Sequence, residues 1–251
     1  MTDAATPLRL SVVVPVKNEA GNVEALLDEI ERACATLAPF EAIYVDDGSA
    51  DETHALLVRL RRTRPWLRIV RHGRSGGQSA AVRSGVLHAR AAIVATLDGD
   101  GQNDPAFLPA LFGALTQAGE GAGLAQGQRV GRKDGRLKTW QSRIANGVRG
   151  RILKDSTRDT GCGLKVFRRS VYLTLPYFDA LHRFMPALVV REGFAVVHRD
   201  VVDRPRFTGR SNYGLFDRLW VGLLDLTGVW WLIRRRRPAP RTSETTAVEG
   251  D

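Results

Sequence analysis

Cysteine is nearly absent from this chain: Cys34 and Cys162 are the only two in 251 residues, far apart and without metal-ligand spacing. That argues against a disulfide framework or a thiolate metal centre, and for a reduced, cytosol-facing protein. An apolar leader is missing too. Met1 to Leu8 holds no hydrophobic segment, so no signal peptide is expected. Nor is there the run of roughly 20 apolar residues that a membrane-spanning helix requires. The most apolar late stretch, Leu219 to Ile233, is shorter and is interrupted by Asp225. Acidic residues fall short of basic ones, 27 against 37, for a formal charge of +10. Such a surplus suits an anionic partner, whether nucleic acid, acidic membrane or phosphorylated substrate. Internal repeats are absent.

What remains is ordinary for a folded enzyme-sized domain. Hydrophobic residues make up 43% and charged residues 25%, enough to bury one large α/β core with a short appendage. Leu8 to Val16 reads as a buried strand ending at Pro15. Asn22 is placed to cap a helix whose Val23, Leu26, Leu27 and Ile30 keep helical spacing. A second strand, Phe40 to Val45, stops at Asp46-Asp47-Gly48-Ser49, where Ser49 and Glu52 have capping-box spacing for a helix ending near Arg64. Leu67 to Val70 and Ala91 to Leu97 are the third and fourth strands, with a helix containing Ala80, Val82 and Leu87 between them.

This alternation predicts a mostly parallel sheet with helices on both faces, and ligands beyond the carboxyl ends of the strands. After about Gly119 come a strand at Leu124 to Arg129, a basic helix-like segment at Leu137 to Leu153, and the turn Asp159 to Gly163. A strand near Lys165 to Phe167, a helix over His182 to Glu192, a strand over Ala195 to Val202 and a polar loop from Arg204 to Gly214 follow. From Pro238 the composition predicts a disordered tail.

Asp98 and Asp100 sit two apart at a strand end, so both carboxylates can point to one side of the sheet edge. A hard cation such as Mg2+ or Mn2+ prefers such oxygen ligands and leaves positions for substrate phosphates. Gln102 could add a carbonyl oxygen or order a ligating water. The competing reading is a plain Asp-Gly-Asp-Gly turn. Asp46 is placed to accept from a base or ribose, or else to balance a helix N-terminus. Glu19 is ambiguous by itself. Gly76, Gly77 and Gln78 either let a helix start approach a nucleotide or form an ordinary turn.

Taken together, Val14 to Glu19, Val45 to Ser49 and Leu97 to Gln102 resemble glycosyltransferase family 2. Asp159-Thr160-Gly161-Cys162-Gly163-Leu164-Lys165 is similar to its dolichyl- or polyprenyl-phosphate sugar transferase branch. His182-Arg183-Phe184, Arg204-Pro205-Arg206 and Gly209 to Gly214 support the same branch, and the likeness covers residues 8 to 233. It implies a GT-A, Rossmann-like catalytic domain over residues 1–214. Residues 8–118 would form its nucleotide-sugar half and 119–214 its acceptor half. It further implies an inverting hexose transfer from GDP-mannose or a UDP-sugar.

By the same resemblance Pro15, Glu19 and Asp46 contact the nucleotide, and Asp98, Asp100 and Gln102 surround the metal. Val16, Asp47, Gln78 and Asp98 complete the candidate nucleotide-sugar set. The implied acceptor is an undecaprenyl or dolichyl phosphate. A phosphate monoester is largely dianionic at neutral pH and needs cations more than a base. Arg129, Lys138, Arg143, Arg206 and Arg210 are the candidate cations, each equally readable as a solvated surface charge. Asp159 is a candidate to orient the acceptor or act as a base, or is a turn residue.

Leu215, Phe216, Leu219, Trp220, Leu223, Leu224, Trp230 and Trp231 combine apolar bulk with tryptophan, and Arg234 to Arg237 follow at once. Residues 215–237 are therefore expected to form an amphipathic interfacial helix, peripheral on the cytoplasmic face of the cell membrane. Packing on the domain or in a homo-oligomer competes with that reading. Many bacterial relatives continue into transmembrane helices, so a separate membrane-protein partner is conceivable.

The rivals are a soluble family-2 transferase acting on a saccharide or protein hydroxyl, a sugar nucleotidyltransferase, and a basic nucleic-acid-binding protein. The nucleotidyltransferase lacks its Gly- and Lys/Arg-rich loop after the first strand. Against nucleic acid, no helix-turn-helix, zinc or RNA-binding signature occurs, and the acidic strand ends would repel a phosphate backbone.

Overall fold

The computed structural model of the chain describes residues 6–130, 150, 152–153, 155–204 and 215–237, the side chains of 215–221 and 223 excepted. Alternating valines build its centre. Along β1 (Leu10–Val16), Val12, Val14 and Val16 point into one core layer and Val13 into the other. The strand is buried on both faces, as a central strand of a parallel sheet must be. Beside it lie β2 (Phe40–Asp46) and β4 (Ile93–Thr96), both parallel to it, and β3 (Leu67–Arg71) runs parallel beyond β2.

Among the described residues the sheet has seven strands in the order β3-β2-β1-β4-β6-β5-β7. In its second half β5 (Ala122–Arg129) and β7 (Ala195–Val201) keep the common direction. The short β6 (Lys165–Arg168) alone runs against both of its neighbours, β4 and β5. The mostly parallel expectation is met, with one reversal that the residue pattern does not announce. Helices α1 (Ala20–Cys34), α2 (Thr53–Arg61) and α4 (Leu108–Gln117) cover one face. Helices α3 (Gln78–His88), α5 (Arg169–Thr174) and α6 (Leu181–Arg191) cover the other. The last helix, α7 (Leu215–Arg234), adds to that second face through Leu226, Val229 and Ile233.

Both helix-cap expectations are corrected. Asn22 does not cap α1, which starts at Ala20; the buried Asn22 amide instead donates to Glu19 Oε2 at 2.6 Å. Ser49 does not form a capping box with Glu52. Its hydroxyl accepts from Asn18 N at 3.0 Å, and Asp51 receives the N–H groups of Thr53 at 3.0 Å and Ala20 at 3.3 Å. The polar residues after β1 and β2 thus bind the two loops to each other, a tertiary demand that outweighs local capping. Gly48 permits this crowding. It has φ +70°, and a Cβ there would meet Ser75 N at 2.9 Å. The basic helix-like segment over 137–149, the loop after Arg204 and the tail from 238 lie outside the described residues.

Helix α3 approaches β1 through Gly85, where an added Cβ would overlap the Val13 side chain. Gly85→Ala is expected to lower unfolding free energy by about 1–3 kcal/mol through overpacking, offset by ~1 kcal/mol of helix propensity. Urea denaturation checks this, and a Val13→Ala background should abolish the loss.

Candidate active site

Because all strands but β6 share one direction, the carboxyl ends of β1, β2, β4, β5 and β7 open on the same edge as the amino end of β6. Lys165 begins β6 there, opposite Thr96 of β4 and Gln126 of β5. A cavity of about 330 Å³ occupies this edge. Pro15, Gln78, Asp98, Arg129, Asp159 and Lys165 are among its walls, and His182 and Arg183 close one side from the start of α6.

Asp98 is braced from two sides. Its N–H donates to Asn103 Oδ1 at 2.9 Å, and its Oδ1 accepts from the Gln78 amide at 2.7 Å. A Cβ on Gly163 would collide with both Asn103 Oδ1 and the Asp98 carboxylate, so the 161–163 turn can approach only because that position is glycine. Burial, and then the neighbouring charge of Asp100, push the Asp98 carboxyl up to about 6, with Lys165 and Arg129 opposing. Asp100 accepts from Gln102 N at 3.1 Å, and Gln102 O accepts from Arg204 N at 2.9 Å. The 100–102 turn is thereby stitched to the segment following β7.

Among the described residues no group of three or more His, Cys, Asp or Glu side chains could enclose a metal by itself. The pair Asp98 and Asp100 is all-oxygen and repels itself, and Asp98 opens on a cavity large enough for ligand phosphates. Such a donor set fits a hard divalent cation whose remaining positions a diphosphate would fill.

Arg129, at the end of β5, is more committed than its sequence position suggests. It donates to Asp159 from Nε at 2.5 Å and from Nη2 at 2.8 Å, and to Asp203 from Nη1 at 3.1 Å. Burial works against its charge, but the Asp159 pairing overrides this and leaves its pKa above the ordinary value. Both Asp159 oxygens face Arg129, so the carboxylate orients the guanidinium. Lys165 is buried, its ammonium donating to Cys162 O, and burial holds its pKa below the usual lysine range. His182 shares a 2.7 Å hydrogen bond with the Ser79 hydroxyl through Nδ1. Burial, and then the charges of Lys165 and Arg183, depress it to about 3, so it is a neutral ring at physiological pH.

The nucleotide-side candidates are brought to the same edge but differ in what they hold. Asp46 is fully buried: Oδ1 accepts from Ser49 N at 2.9 Å, and Oδ2 lies 3.3 Å from His54 Nδ1 and 3.4 Å from Arg71 Nε. Asp47 gathers the 72–77 loop. It accepts from Ser75 Oγ at 2.6 Å, Gly76 N at 2.8 Å and Gly77 N at 2.9 Å, and pairs with His72 Nδ1 at 2.7 Å. Burial would raise this carboxyl, but the four hydrogen bonds outweigh it and hold it below the ordinary value. Glu19 binds Asn22, Val16 is a core side chain, and Pro15 lines the cavity. Lys138, Arg143, Arg206 and Arg210 lie outside the described residues.

Lys165, His182, Asn103 and Asp203 were not singled out as site residues from the sequence. Lys165 and His182 did stand in recognised motifs, but their meeting across the sheet edge depends on the reversal of β6. Asn103 and Asp203 meet only through an isolated antiparallel bridge, their side chains 3.4 Å apart.

Comparison with known proteins bears on this site. The profile described as glycosyl transferase family 2 matches residues 11–175. The dodecaprenyl-phosphate galacturonate synthase of Rhizobium johnstonii is 37% identical over 245 residues, covering 94% of this chain and 71% of that protein. The undecaprenyl-phosphate 4-deoxy-4-formamido-L-arabinose transferase of Edwardsiella ictaluri is 33% identical over 218 residues, covering 86% of this chain. The chain spans 66% of that second relative's length. Among solved structures, a mannosyltransferase of Pyrobaculum calidifontis in complex with GDP-Man and Mn2+ superposes with a TM-score of 0.66 at 22% identity. That alignment covers 94% of this chain and 67% of the other. The glucosyl-3-phosphoglycerate synthase of Mycobacterium tuberculosis gives 0.62 at 20% identity, covering 90% and 79%. These likenesses show the GT-A fold.

A carboxyl raised in the folded state binds its proton more tightly than in the unfolded chain. Its contribution to stability therefore falls as pH rises through about 6. Metal-free Asp98→Asn is accordingly expected to melt above wild type at pH 7.5, by roughly 2–4 °C for each kcal/mol relieved. The gap should close as pH drops toward the ordinary carboxylate pKa of about 4. Calorimetry in chelator measures both; an Asp98→Asn variant melting lower than wild type at pH 7.5 would contradict the buried-charge account.

Proposed function

The chain belongs to glycosyl transferase family 2, and within it we propose that it transfers a hexose from a nucleotide-sugar to a polyprenyl phosphate at the cytoplasmic membrane face. The observation that carries this reading is the joining of two chemistries at one sheet edge. Asp98 on the cavity wall and Asp100 two residues beyond it offer oxygen ligands, while Lys165, Arg183 and Arg129, the last held by Asp159, bring cationic groups to the same cavity. The relatives named as polyprenyl-phosphate sugar transferases support the acceptor class.

A divalent cation, Mg2+ or Mn2+, held by Asp98 and Asp100 with Gln102 beside them, would neutralise the charge that builds on the departing diphosphate. Gln78 fixes the orientation of Asp98, and Gly163 gives the turn room to close over it. Asp46 and Asp47, buried behind that edge, would hold the loops on which the nucleoside rests. Arg129, oriented by Asp159 and Asp203, and Lys165 position the acceptor phosphate.

The reaction we assign is a single inverting displacement. An acceptor phosphate oxygen bonds to the anomeric carbon as the bond from that carbon to the diphosphate oxygen breaks. The dianionic acceptor brings no proton that must be removed, so Asp159 can remain the partner of Arg129 and need not act as a base. Neutral His182 contributes a polar, uncharged wall that does not compete with the cations for phosphate.

Purified protein with Mn2+, labelled GDP- and UDP-sugars and undecaprenyl phosphate tests the proposal. Label should move into the organic phase from one donor and be lost by at least 100-fold in Asp100→Ala, in keeping with removal of a charge-stabilising group. Label passing only to a water-soluble acceptor would refute the lipid-phosphate reading. The proton on Asp98 should compete with the cation, so Mn2+ affinity by calorimetry is expected to be roughly fourfold weaker at pH 5.5 than at pH 7.5.

A further inference from the structure

Helix α6 has two working ends. Its first turn, with His182, Arg183 and Met185, walls the catalytic cavity. Its last turns border a second groove of about 480 Å³, some eight residues or ~12 Å further along the helix. Helix α7 lies beside α6 in the same direction, for Asp225 senses the charges of Asp179 and Arg183 while Arg191 Nε donates to Leu232 O at 3.0 Å.

The floor of this groove is apolar, formed by Leu153, Ala187, Val190, Trp230 and Ile233. Val190 is 39% exposed and Trp230 40%, so the apolar surface is open to whatever lies outside. The rim is cationic. Arg191, Arg234 and Arg236 border it, and among the described residues Glu192 is the carboxylate beside them, pairing with Arg191 and lying 3.7 Å from Arg236. Three positive charges less one negative leave +2 at the rim. The C-termini of α6 and α7 meet here, each contributing about half a negative charge, and the arginines exceed that sum. Arg234 stacks 4.6 Å from the Trp230 ring centroid, which anchors cation and aromatic together at the groove mouth. On the outer side of α7, Leu224 is 64% exposed and Trp231 56%.

We propose that this groove binds one anionic phospholipid of the membrane, an acyl chain lying along Val190, Trp230 and Ile233 and the phosphate meeting Arg234 and Arg236. The inference rests on the proposed reaction at a membrane face, and it assigns a lipid distinct from the acceptor. Apolar floor and cationic rim together match an amphiphile of that charge, whereas a neutral lipid leaves the rim unpaired and a free phosphate leaves the floor wet. The volume falls within the range of a single-ligand pocket. Occupancy would press Leu224 and Trp231 into the leaflet and hold the catalytic cavity at the other end of α6 beside it.

The test uses the full chain and vesicles of phosphatidylcholine with a minority of phosphatidylglycerol, bromine being carried on the acyl chains of one lipid or the other. The Trp230 signal is the difference between wild type and Trp230→Phe. Bromine on phosphatidylglycerol should quench it more strongly, although that lipid is the scarcer. Arg234→Ala with Arg236→Ala should abolish the preference and weaken vesicle binding about fivefold per arginine. Arg59→Ala with Arg61→Ala, the same charge loss on the opposite face, should leave the preference intact. Quenching that simply follows each lipid's share overturns the proposal, as does its reversal by added polyprenyl phosphate, which would give the groove to the acceptor's chain. Transfer to detergent-dispersed polyprenyl phosphate is read separately. Its absence in wild type counts against the proposed reaction, while the bromine preference still decides the groove.

Discussion

The ionised Asp98 carboxylate, set at the end of a buried strand and beside a second acid, is the constraint around which this molecule is arranged. Burial and the charge of Asp100 both penalise it. The fold answers from three directions: Lys165 and Arg129 lie within electrostatic reach, Gln78 donates from the start of α3, and Asn103 fixes the backbone. Each brace comes from a different element, so the site exists only when the whole sheet edge is assembled. An arrangement that costs stability at rest is what the proposed cation and diphosphate site would require.

The single reversed strand makes this possible. Were β6 parallel to its neighbours, Lys165 would begin at the far edge of the sheet. Running antiparallel between β4 and β5, it brings the 162–165 turn against Asp98, with Thr96 Oγ1 bonded to Gly163 O at 2.9 Å. Gly163 and Gly127 lie where a Cβ would strike the opposing turn or strand, so the reversal depends on small residues at the contact. The acidic and basic halves of the site are thus joined by a topological event, not by proximity in the chain.

The same economy appears in α6 and α7. One side of α6 serves the cavity and the other supports α7, whose inner face is covered by Leu226, Val229 and Ile233. No helix among the described residues is long and apolar enough to cross a membrane. In that last helix Leu226, Val229 and Ile233 pack inward while Leu224 and Trp231 are exposed on its other side.

Most of the first half of the fold was legible because its signals are local. Valine runs mark buried strands, helical spacing marks α1, and acids at strand ends mark a ligand edge. The residue pattern also located Asp46 and Arg129 at strand ends, where the structure has them, and Asp98 and Asp100 at the end of a strand that in the structure stops at Thr96, with Asp100 in the turn beyond. Legibility failed where a residue's role is set by a distant partner. Ser49 reads locally as a cap, yet it serves Asn18; Arg129 reads as a free cation, yet Asp159 and Asp203 hold it. The residue order determined which elements form and which chemistries stand at their ends. Only the tertiary structure decided which of those charges face one another, because electrostatic pairing acts through space and one reversed strand carries Lys165 to Asp98.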